Sequence, residues 1–115
     1  MKPTALAILA LAMLALPAGA IENRGTRIAM AVALLDVTED YCEGRFRVDA
    51  GVKETLLLHF HEYDIAGLAS MLSRPLNAFY EDFLHEVKQG RDAFCEKAPK
   101  EAARTGYPVI LSGDP

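Results

Sequence analysis

Tryptophan is absent from this chain of 115 residues, cysteine occurs twice and histidine three times. Without tryptophan the chain lacks the broadest flat apolar ring, and a stacking platform for sugars is not expected. Glycines are present but dispersed. Gly44 and Gly51 stand alone and Gly106 falls where a helix should end, so there is no glycine-rich loop to cradle a phosphate. Ser70, Ser73 and Ser112 lie outside any Gly-x-Ser-x-Gly setting, and the two cysteines are expected to be oxidised, which leaves no nucleophile with an activating base. Positive charge is also scarce. Lys and Arg number 12 against 16 Asp and Glu, and the single local basic cluster is Arg45-Phe46-Arg47. Nucleic acid and anionic membrane need clustered cations, so neither is an expected partner. The paired carboxylates Glu39-Asp40 and Glu81-Asp82 fall on faces predicted to be solvated rather than in a cleft. These absences together predict a protein that is not an enzyme and holds no cofactor.

One long apolar run exists, and it is at the amino end. Lys2 supplies a positive end, and from Thr4 to Leu16 the chain is Ala, Leu, Ile and Met with only Thr4 polar, then Pro17 and the small-x-small triplet Ala18-Gly19-Ala20. That is the order of a secretory signal peptide, residues 1–20. The run of about 13 residues is short of the roughly 20 needed to span a bilayer, so no membrane association is expected after cleavage. No cysteine follows the triplet, which closes the lipoprotein route. The short basic region and Ala/Leu core have a bacterial look, so the expected compartment is the periplasm, with the extracellular space as alternative.

Residues 21–115, about 95 of them, are enough for one small domain and no more. Without Lys2 the basic residues fall from 12 to 11 against 16 acidic ones, a net charge of about −5. A domain of this size is marginal by surface-to-volume scaling. In an oxidising compartment Cys42 and Cys95 can supply a staple, since two cysteines allow one intramolecular pairing. Closing a loop of about 54 residues removes denatured-state entropy worth roughly 4 kcal/mol in the chain-entropy model.

Periodicity is mostly helical. Ile28, Val32, Leu35 and Cys42 recur at helical spacing over residues 27–42, with Gly44 as a stop. Residues 45–51 read as a connection. A second helix is expected from Ala50 toward Glu62, although Thr55 to Phe60 fits a short strand equally well. Asp64 suits an N-cap for a short third helix, Ile65 to Leu72, ended by Ser73-Arg74-Pro75. After Pro75 the residues Leu76, Phe79, Tyr80, Phe83, Leu84 and Val87, then Phe94 and Ala98, form one apolar stripe, with Gly90 inside it; Pro99 limits continuation, with Lys100 to Thr105 open to a last turn closed by Gly106. The segment 109–115, containing Val109-Ile110-Leu111, reads as an extended tail that folds onto the bundle or joins a partner's sheet edge. The predicted fold is therefore all-α, a bundle or orthogonal array of about four helices with one long-range disulfide. Both cysteines are expected near the carboxyl ends of their helices.

The histidines are the weak candidates for chemistry. His59-Phe60-His61, with His85 further on, resembles the His-Phe-His strand of α-class carbonic anhydrases over about five residues. On a strand His59 and His61 share a face and, with His85, leave an open fourth position suited to zinc. On a helix the first two point roughly 200° apart and cannot share a metal. Two functional readings follow. The first is a non-catalytic protein-interaction or chaperone-like envelope protein, with another protein as partner. It is loosely similar to small periplasmic acid-stress chaperones in its length, helicity and single long-range disulfide. The alternative is a metal-binding protein using His59, His61 and His85.

Overall fold

The computed structural model describes residues 24–65, 67 and 69–113. The predicted signal peptide, and Asp114 and Pro115 of the tail, lie outside the described residues. In chain order the elements are α1 (Arg24–Tyr41), β1 (Phe46–Val48), α2 (Ala50–Ile65), α3 (Ala69–Gln89), α4 (Arg91–Arg104) and β2 (Ile110–Ser112). Four packed helices, one disulfide and a two-stranded ribbon make up the fold, which is the small all-α array expected.

α1 is the axis of the core. Ile28, Ala29, Ala31, Ala33, Leu34, Leu35, Val37 and Thr38 are all at most 3% exposed. They occupy every side of the helix between Ile28 and Thr38, so this middle stretch of α1 is covered nearly all round, while Arg24, Glu39, Asp40 and Tyr41 at its ends are exposed. Its most extensive packing is against α3, whose Leu76, Phe79, Tyr80, Phe83, Leu84 and Val87 line the core. The aromatic rings of Phe79, Phe83 and Phe94 run together, with centroids 6.2 and 5.9 Å apart. Tyr80 donates its hydroxyl proton to Asp36 across the α1–α3 interface at 2.6 Å.

The disulfide joins Cys42, just past the end of α1, to Cys95, with Cα atoms 5.5 Å apart. Cys95 lies near the amino end of α4, not at a helix carboxyl end as expected. The displacement comes from Gly90. The stripe through Val87, Phe94 and Ala98 does not belong to a single helix, because Gly90 adopts an extended conformation (φ −178°, ψ 92°) between α3 and α4. Gly90 N–H closes α3 by donating to the Glu86 carbonyl, and the Gly90 carbonyl accepts from Phe94 N–H to open α4.

Pro75 behaves differently from expectation, while beyond Pro99 the helix runs on to Arg104 and stops before Gly106, the last turn left open by the sequence. Pro75 sits inside α3 and Pro99 inside α4, so neither ends a helix. Each costs one backbone hydrogen bond, but each lies within a run of side chains that the core buries on both sides. Leu72 is buried before Pro75, and Leu76 packs on the core just after it. Ala98 and Ala102 are buried on either side of Pro99. The separate helix expected at 65–72 is absent. α2 instead continues to Ile65 and the chain breaks at Gly67, whose φ of +77° is left-handed backbone that glycine takes without strain. Residues 55–61, open between helix and strand in the sequence, are helix.

The carboxyl segment folds back. β2 pairs antiparallel with β1 in the register Phe46–Ser112, Arg47–Leu111 and Val48–Ile110. Val109 and Ile110 are buried, so the apolar part of the tail is core. The connection expected at 45–51 is the other strand of this ribbon.

Candidate functional site

α2 begins at a capping aspartate. Asp49 Oδ1 accepts from Val52 N–H at 3.0 Å, and the Asp49 carbonyl accepts from Lys53 N–H, the usual side-chain answer to the unpaired amides of a first turn. Asp49 N–H in turn donates to the Val109 carbonyl. One residue therefore ties the ribbon to α2.

From there α2 presents two unlike faces. Inward, Val52, Leu56, Phe60 and Tyr63 follow helical spacing and pack on the core. Leu56 is the one fully buried side chain of α2 among the described residues. Outward, Leu57 is 45% exposed, Leu58 55% and Ile65 72%. Leu58 and Ile65 are two turns apart on the same side, and Leu57 and His61 one turn apart beside them. Glu54 and Glu62 border this strip and are exposed. Glu62 is 3.9 Å from Arg24 of α1. These three are the large apolar side chains of α2 that stand exposed among the described residues.

A second feature lies on the flank of α2. A cleft of about 520 Å³ is lined by Arg27 of α1, Asp49, Gly51, Val52, Thr55 and His59 of the α2 approach and helix, and the Gly106–Pro108 turn. Tyr107 hydroxyl and His59 Nδ1 are 2.8 Å apart, with the rings edge to face. Arg27 Nη1 donates to the Thr105 carbonyl at 3.4 Å. Its Nε is buried and has no hydrogen-bond partner. Gly106 is at φ +87°, and a Cβ there would come within 2.9 Å of Arg27 Nη1. Glycine at 106 thus serves the turn and leaves room for the guanidinium.

The three histidines are not gathered. His59 is engaged by Tyr107, His61 is exposed on the outer side of α2, and His85 is exposed on α3 beside Gln89, 3.1 Å away. Among the described residues no group of three or more His, Cys, Asp and Glu is placed to hold a metal ion. The helical geometry of residues 55–61 is the cause, since it sends His59 and His61 to different sides.

Leu57 and Leu58 were visible in the sequence as part of an apolar run, but their exposure was not, because periodicity alone does not say which of two apolar faces is covered. Arg27, Asp49 and Tyr107 were missed as site residues. Their one sequence signal was an aspartate immediately before the expected start of a helix. Among the described residues no helix is long and apolar enough to cross a membrane. No protein-family model, curated protein or solved structure matches this chain.

Proposed function

We propose that this is a non-catalytic protein of the bacterial cell envelope that binds another protein through the outer face of α2. The single observation that carries the reading is the exposed Leu57, Leu58 and Ile65 strip on a helix whose opposite face is packed. Compartment supports it. The disulfide suits an oxidising environment, and the amino-terminal residues have the pattern of a secretory signal, which together favour the periplasm.

Charge narrows the partner. The strip is bordered by Glu54 and Glu62, and the chain from residue 21 onward carries about five net negative charges. Two copies packed through this face would bring carboxylates together, which disfavours self-association. A partner with an apolar strip flanked by Lys or Arg complements it. Such contact is the helix-on-helix mode of recognition, with anchors at i and i+7.

The test is photo-crosslinking in the periplasm from positions 58 and 65, with position 88 on the polar side of α3 as control. The reading expects a heterologous adduct from 58 and 65 that is absent from 88, and is lost on Leu57→Asp and weakened on Glu54→Lys. Homodimer adducts alone, or equal labelling from all three positions, would overturn it. Binding of this kind also covers a chaperone-like role. In that version acid protonates the carboxylates, the remaining positive charge opens the chain and frees apolar surface, and client aggregation is suppressed; absence of suppression at about pH 3 sinks that version alone.

A further inference from the structure

We propose that the cleft between α1, the start of α2 and the Gly106–Pro108 turn binds a carboxylate group carried on a small apolar body, with Arg27 as its principal anchor. The site shares α2 with the docking face but none of its residues, so the two proposals stand or fall separately.

Arg27 is the reason. Among the described residues it has no carboxylate within ion-pairing distance, although Asp49 lines the same cleft. Among the described residues the single hydrogen bond of its side chain is a long one to the Thr105 carbonyl, and its Nε is buried without a partner. The buried Nε without a partner is costly, and Arg27 lines the cleft, where the rest of its fork can meet a ligand. Its planar fork matches the two oxygens of a carboxylate. The turn passes close to it: Gly106, at the left-handed φ of +87°, lies where a Cβ would come within 2.9 Å of Nη1.

The rest of the lining chooses between anions. Arg27 and Asp49 cancel in formal charge, and Asp49 is occupied capping α2. A doubly charged phosphate would leave the cleft strongly negative, whereas one carboxylate adds one charge opposite one guanidinium. His59 and Tyr107 supply a polar wall. When Tyr107 donates to Nδ1, the imidazole proton sits on Nε2 and is free to donate. Val52, Pro108 and the Thr55 methyl supply apolar surface for the remainder of the ligand. About 520 Å³ is within the range of small-ligand sites.

The same chemistry is offered by a free small acid and by the terminal residue of a peptide. The experiment titrates ¹⁵N-labelled protein, exported and processed in the periplasm, with N-acetyl-leucine, N-acetyl-leucinamide and a pentapeptide ending in free leucine. The proposal expects the acid to shift amide resonances of Gly51, Val52, Gly106 and Tyr107 with a Kd on the order of 1 mM. The neutral amide should bind at least about tenfold more weakly, the share of one charge-assisted pair. Tighter binding of the pentapeptide points to a chain terminus and equal binding to a small acid, and both support the site. Arg27→Lys should weaken the acid about tenfold while leaving the spectrum elsewhere unchanged. Equal shifts from acid and amide, or no shift at about 20 mM acid, would overturn the proposal without recourse to a variant.

Discussion

α1 and α2 are close in length, 18 and 16 residues, and both are rich in apolar side chains, yet they end in opposite circumstances. Between Ile28 and Thr38 α1 is enclosed on nearly all sides by the other elements, while α2 has a core face and a bare face. Neither helix shows a clean division between apolar and polar sides, and the physical reasons differ. In α1 the apolar residues surround the axis because the core surrounds it. In α2 they lie on both sides although the core covers one. A mixed pattern of hydropathy thus has two structural meanings, and burial alone tells them apart.

The staple belongs to the α1 side of this comparison. Replacing both Cys42 and Cys95 by alanine should lower unfolding free energy by roughly 4 kcal/mol, read by urea denaturation of wild type and variant. A loss under about 1 kcal/mol would mean that the core around α1 holds without it.

Truncating matched leucines sharpens the contrast. Leu34→Ala in α1 should cost about 2 to 5 kcal/mol through cavity formation, and Leu58→Ala in α2 less than about 0.5. Comparable losses at the two positions would erase the distinction between the helices. A smaller change of opposite sign is expected at Thr38, which is fully buried with a hydroxyl that has no hydrogen-bond partner. Thr38→Val should stabilise the protein by about 1 kcal/mol in the same assay.

The α1–α3 interface carries a further, pH-dependent effect. Burial and then the hydrogen bond to Asp36 push the Tyr80 phenol above its ordinary value of 10.0. The folded state therefore holds this proton more tightly than the unfolded chain, so the stabilisation is complete below about pH 10 and falls as pH rises above it. Tyr80→Phe should flatten that alkaline decline, and an unchanged decline in thermal melts between pH 9 and pH 11 would assign it to other groups.

Most of the fold could be read from the residues. Helical periodicity located the four-helix class, and compartment with cysteine count located the Cys42–Cys95 bridge. Breaks were harder. Pro75 looked like a stop and Pro99 like a limit with one turn open beyond it, but both lie within helices whose flanking side chains are buried, whereas Gly67 and Gly90 interrupt the chain. A local propensity yields to a continuous buried stripe, and a glycine without a side chain contributes nothing to one. Of the candidate sites, His59 was singled out for metal chemistry and instead contacts Tyr107, 48 positions away. Such a pairing depends on how the 105–109 turn returns to α2, which no local pattern encodes. The bare face of α2 was hidden for the same reason, since exposure is a property of what fails to pack against a segment.

The most direct test of that bare face is paramagnetic broadening of methyl resonances by a small neutral nitroxide in the free protein. Broadening of Leu57, Leu58 and Ile65 with protection of Leu34 and Leu56 is the result expected. Protection of Leu57, Leu58 and Ile65 would contradict the account, because the strip would then already be covered.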